Sequence, residues 1–95
     1  MDELTMRRLA HNEELFREVN VERERAHPDA RGELAFICEC SSQRCTERIR
    51  LSAASYRRIR RTSRRFVILP GHERAEIEDV VERHDGYAIV AKRAV

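Results

Sequence analysis

Three cysteines fall within eight residues, Cys38-x-Cys40-x4-Cys45, in a chain of 95. A chain this short forms one small domain with a modest core, and such domains are commonly held by a metal or by disulfides. An odd number of cysteines does not suit a disulfide framework. Cys38 and Cys40, two apart on an extended segment, are also badly placed to bridge each other. Alternation puts both side chains on one face of that segment. The polar turn Ser41-Ser42-Gln43-Arg44 then brings Cys45 back toward them. Three thiolates at one point suit a soft, tetrahedral ion such as zinc, and a structural zinc requires a fourth protein ligand. His72 follows Pro70-Gly71 at the end of a short apolar run, so a tight turn fixes its backbone. His27, in the loop before the cysteine segment, is the rival; His84 suits a helix end and His11 a solvated helix face. The expected site is Cys38, Cys40, Cys45 and His72 around a structural Zn2+. Three small buried hydrophobes are the competing explanation. It covers Cys38 and Cys40 but not Cys45, which follows a polar turn.

The apolar pattern around this motif predicts an α+β fold, a leading helix followed by β-β-α-β-α-β with an antiparallel sheet. Residues 3–25 read as a helix without Gly or Pro, carrying a thin stripe of Leu9, Phe16 and Val19 with Leu15 beside it. Asn12 and Asn20 lie near that stripe. Pro28 and Gly32 mark residues 27–32 as a linker, giving a helix over 1–26 and a zinc-stapled domain over 33–95. Residues 33–40 and 46–51 alternate as a hairpin. Ser52 is a good N-cap for a helix over 53–62. Phe66-Val67-Ile68-Leu69 reads as a central strand, residues 74–84 as a helix with Ile77, Val80, Val81 and His84 on one face, and Tyr87 to Lys92 as the last strand. The expected core is Phe36, Ile49, Leu51, Tyr56, Ile59, Phe66, Ile68, Ile77, Val80, Val81 and Ile89.

Charge is unevenly spread. Residues 41–65 hold nine Arg and one acid, whereas the flanking segments are net acidic and the whole chain is only +2. Arg57, Arg58, Arg61, Arg64 and Arg65 form a candidate anion- or partner-binding patch. Solvation, or pairing with the acidic helices, is the plainer account. Eighteen of nineteen basic residues are Arg, a chain-wide bias that weakens a phosphate-specific reading. The thin stripe Leu9, Phe16 and Val19 suits a partner, including a second copy of the chain, as much as the domain itself. No apolar stretch approaches the roughly 20 residues of a membrane span. The acidic start Met1-Asp2-Glu3 is unlike a secretory signal, so the expected setting is cytoplasmic.

The stretches Phe36-Ile37-Cys38-Glu39-Cys40, Cys45-Thr46-Glu47-Arg48, Arg65-Phe66-Val67 and Pro70-Gly71-His72-Glu73 resemble a family of small bacterial Cys/His zinc-binding proteins with no established activity. The likeness takes in Tyr56, Val80-Val81-Glu82-Arg83 and Tyr87 and spans residues 12–92. Similar stretches occur attached to signalling modules. The resemblance implies a Cys3His zinc fold in a regulatory setting, with a signalling or transcription regulator as partner. No nucleophile motif, phosphate loop or H-E-x-x-H is present, and a closed zinc shell leaves no site for water. The expected function is a non-enzymatic adaptor acting through protein–protein contacts. A nucleic-acid-binding module using the Arg-rich segment 53–65 and a thiolate–zinc redox sensor are the alternatives.

Overall fold

The computed structural model describes residues 2–28 and 31–93. Helix α1 spans Glu3–Ala26. Asp2 caps it, its carboxylate accepting the Thr5 N–H at 2.8 Å. The basic residues Arg23 and Arg25 fall in its last turn, where they complement the helix dipole. Strands β1 (Glu33–Ile37) and β2 (Arg48–Ser52) pair antiparallel with Phe36 opposite Ile49 and Leu34 opposite Leu51. Ser52 ends β2 and caps α2 (Ala53–Arg61), accepting from the Ser55 N–H at 3.0 Å. Strands β3 (Arg65–Ile68), β4 (Glu78–His84) and β5 (Tyr87–Lys92) form a second antiparallel sheet in the order β3-β5-β4. The class is α+β, as the apolar pattern predicts. The strands divide into two ladders rather than one sheet, joined where the Glu39 N–H donates to the Val67 carbonyl at 2.8 Å. Among the described residues no helix is long and apolar enough to cross a membrane.

One element differs in kind. Residues 74–84, expected to be helical, make a single turn over 75–77 and then strand β4. The cause lies in Asp85-Gly86. A two-residue Asp-Gly turn matches the twist of a β-hairpin, and Gly86 takes φ 87°. It closes His84 onto Tyr87 and pairs β4 with β5. Val80 and Val81, β-branched, suit the strand. The helix-spaced apolar set is thereby broken up: Ile77 is buried, Val80 half-buried, and Val81, at a bulge between Val80 and Glu82, is 40% exposed. Val80 and Val81 are thus not fully buried core residues. The other nine expected core residues are buried. Phe36 and Tyr56 stack at 4.5 Å between ring centroids.

Helix α1 docks on this body, and it does so with polar side chains. Its buried residues are Ala10, Asn12, Glu13, Asn20 and Glu24. Leu9 and Phe16 are half-buried, whereas Leu4, Leu15 and Val19 are exposed at 75%, 43% and 54%. The apolar stripe therefore lies partly outward, and the docking face is built from amides and carboxylates.

Candidate metal centre

The backbone leaves the β1 ladder after Ile37, three residues earlier than the alternating pattern predicts, because residues 38–40 turn toward β3. The Cys38 N–H still donates to Glu47 O at 3.1 Å, but the Glu39 N–H goes to Val67 O. This crossing puts Cys38 and Cys40 on one side of the segment and Glu39 on the other. Cys45 enters through the turn 42–45, in which its N–H bonds Ser42 O at 3.2 Å. His72 is delivered from β3 by the Pro70-Gly71 turn, with Gly71 at φ 89° and the His72 N–H on Leu69 O at 3.1 Å.

Cys38, Cys40, Cys45 and His72 converge, and one ligand atom from each lies within 4.8 Å of all the others. The His72 Nδ1 is 3.7 Å from both Cys38 Sγ and Cys45 Sγ. Bond lengths of a tetrahedral zinc site give ligand–ligand edges of about 3.6–3.8 Å, which the two edges at His72 match. The four side chains expected as ligands are thus brought together. His27 lies elsewhere, its Nδ1 against Arg23 O at 2.9 Å.

The electrostatics favour a single thiolate, at Cys40. Cys40 is brought down to about 5, chiefly by a hydrogen bond from the Cys38 thiol, with His72 and the Ser42 N–H adding to it against the cost of burial. Cys38 is pushed up by that same pairing and by burial, while the Leu69 N–H, 3.3 Å from its sulfur, pulls the other way. Cys45 is raised by burial and opposed by the Glu47 N–H. The Leu69 N–H is thus aimed at the Cys38 sulfur, a contact of the kind that orients a ligand sulfur. Beside the cluster lies a cleft of about 290 Å³ lined by Cys40, Ser41, Ser42, Gly71, His72, Glu73 and Arg74.

The segment that carries the cysteines is also the seat of α1. Asn20 pairs with Ile37 as a neighbouring strand would, its Oδ1 accepting the Ile37 N–H at 2.9 Å and its Nδ2 donating to Ile37 O at 2.8 Å. The same amide reaches Glu39 at 2.9 Å. Asn12 donates to Ser41 O at 2.9 Å. Glu39 is wholly buried and also accepts from the Tyr56 hydroxyl and, at 2.8 Å, from the Val67 N–H. Burial lifts its carboxyl to about 7 against these three donors. One side chain thus links α1, α2 and β3 between two cysteines of the cluster. These residues escape a search for ligands in the sequence. Asn12 and Asn20, eight residues apart on one helical face, were the signal available, since buried amides demand partners.

Part of the Arg-rich patch is absorbed internally. Arg57 and Arg60 donate to buried Glu24 at 2.7 and 3.2 Å. Burial raises the Glu24 carboxyl and these two guanidiniums more than offset it, so it sits below its ordinary range. Arg58, Arg61 and Arg64 are exposed and Arg65 half-buried. The structure brings Arg57 to the acidic helix and leaves Arg58 and Arg61 on the outer face of α2.

Compared with family models, with curated proteins and with solved structures, the chain matches none.

Proposed function

We propose that the chain is a metal-stapled binding module, with a structural zinc on Cys38, Cys40, Cys45 and His72 and a protein as its partner. The observation that carries this reading is how α1 is seated. Its amides grip the backbone between and beside the metal ligands, while Leu4, Leu15 and Val19 face outward. A four-ligand shell has no open position for a substrate, which supports a structural role and a non-enzymatic protein. Zinc bound here adds its binding free energy to folding; in a small domain that is a large share of the total. The metal holds residues 38–45, these hold α1, and α1 displays the apolar stripe to a signalling or transcription regulator or to a second copy of the chain. Free thiols in a metal-ready cluster suit the reducing cytoplasm.

Metal analysis of protein purified without added zinc tests the first half, with one zinc per chain expected. A fully folded, metal-free protein would overturn it. For the second half, Leu15→Glu with Val19→Glu should abolish capture of the partner, or lower the mass in light scattering, without loss of thermal stability. Unchanged capture and mass would remove α1 as the working surface.

A further inference from the structure

We propose that the cavity between α1, the turn after α2 and the end of β5 binds a small oxyanion of the phosphate class. It has a volume of about 260 Å³ and is lined by Glu14, Arg17, Ser63, Arg64 and Lys92, three cations against one carboxylate. None of these is a metal ligand, so the site stands apart from the proposed zinc.

Two of the cations are held inside the fold. The Lys92 side chain is only 9% exposed; its ammonium donates to Glu14 at 2.7 Å and stands 5.0 Å from the Phe66 ring centroid. The Arg17 guanidinium stands 5.5 Å from the same centroid and donates to Arg60 O at 2.7 Å. Its Nε is buried with no hydrogen-bond partner. A buried N–H without an acceptor is costly, and two cations sharing one aromatic ring repel. An anion in the cavity offsets the repulsion between the two cations.

Arg64 supplies the third cation from an unusual backbone. It is the non-glycine residue with positive φ, 66°, among the described residues. Glycine or asparagine meets that conformation at less cost, so a side chain is kept there in spite of the backbone. Its carbonyl accepts the Lys92 N–H at 2.8 Å, which ties the turn to β5 and sets Arg64 beside Lys92. Guanidinium forks, an ammonium and the Ser63 hydroxyl are all donors suited to a tetrahedral oxyanion. The volume is below the roughly 300–1,000 Å³ of sites for organic ligands. It therefore fits an ion or the phosphoryl head of a small monoester, and not a nucleotide. Glu14 pairs with Lys92 and, 44% exposed, has room to swing into solvent.

The test is a titration of the metal-loaded full chain with inorganic phosphate and, in parallel, ethyl phosphate. Amide chemical shifts are followed at constant ionic strength with chloride as reference. Saturable shifts centred on Ser63, Arg64 and Lys92 are expected, absent with chloride. Tighter binding of one probe assigns the free ion or the monoester. Arg64→Gly, which keeps the positive φ, should weaken binding at least fivefold. Glu14→Gln, which frees Lys92, should tighten it severalfold. Shifts that do not saturate, that chloride reproduces, or that centre on Arg57, Arg58 and Arg61 would overturn the proposal. So would affinities unchanged in both variants.

Discussion

Glu13 and Glu78 bring two carboxylates together beneath α1, and this pair makes stability depend on pH in a defined direction. Glu13 is wholly buried, Glu78 is 2% exposed, and both Glu13 oxygens and Glu78 Oε1 have no hydrogen-bond donor. The remaining Glu78 oxygen accepts the Arg74 N–H at 2.9 Å. Burial first, then the hydrogen bond and charge of Glu78, lift Glu13 to about 10, with Cys40 adding to the rise and Lys92 opposing it. The pair therefore carries a proton at neutral pH. A carboxyl whose folded pKa lies above its unfolded value stabilises fully below that unfolded value, and the contribution fades as pH rises toward the folded one. For Glu13 the window runs from about 4.5 to about 10. One proton changes stability by at most about 1.4 kcal/mol per pH unit. Metal coordination at the proposed site would work the other way, because thiols release protons on binding. The clean measurement is thus a difference: urea unfolding of zinc-loaded wild type and Glu13→Gln at pH 6, 7 and 8. The amide donates to Glu78 without needing a proton. The variant's advantage should grow by roughly 2–3 kcal/mol from pH 6 to pH 8. A difference that stays constant across that range would refute the shared proton.

Asn20→Ala should cost about 2–4 kcal/mol in thermal or urea unfolding, since it strips partners from the Ile37 backbone and from buried Glu39; a loss under 1 kcal/mol would mean that water replaces the amide. Gly86→Ala should cost about 1–2 kcal/mol through its positive φ alone, because a Cβ there meets nothing within 4 Å. Chelation of the metal should raise amide exchange first over residues 10–24 and 37–45, with the β4–β5 hairpin the last to open; loss of protection spread evenly over the chain would separate the docking of α1 from the metal.

The gathering of Cys38, Cys40, Cys45 and His72 is legible because it rests largely on local rules. Alternation aligns Cys38 with Cys40, a polar turn returns Cys45, and Pro70-Gly71 fixes His72, each within a few residues. The hairpin 33–52, the cap at Ser52 and the run 66–69 were legible for the same reason. The strand at Glu78–His84 was missed because Ile77, Val80, Val81 and His84 also fit a helical face. The Asp-Gly turn that follows separates the two by selecting the partner strand, and β-branched Val80 and Val81 are compatible with its choice.

The seat of α1 is different in kind. Hydrophobic periodicity asks which residues leave water, and on α1 it finds Leu9, Phe16 and Val19. The residues that leave water most completely are instead Glu13 and Asn20, with Glu24 and Asn12 close behind. Burying such groups is favourable only when each donor and acceptor is met in the right geometry. For Asn20 and Asn12 that geometry is provided by backbone atoms of Ile37 and Ser41, placed by a chain path that runs through the Cys/His cluster. An apolar helix face would tolerate small shifts of its bed, because dispersion contacts are soft and non-directional. Amide pairs do not, since a hydrogen bond stretched beyond about 3.5 Å is largely lost. The polar seat therefore makes α1 sensitive to the conformation of residues 37–41 in a way that a greasy one would not be.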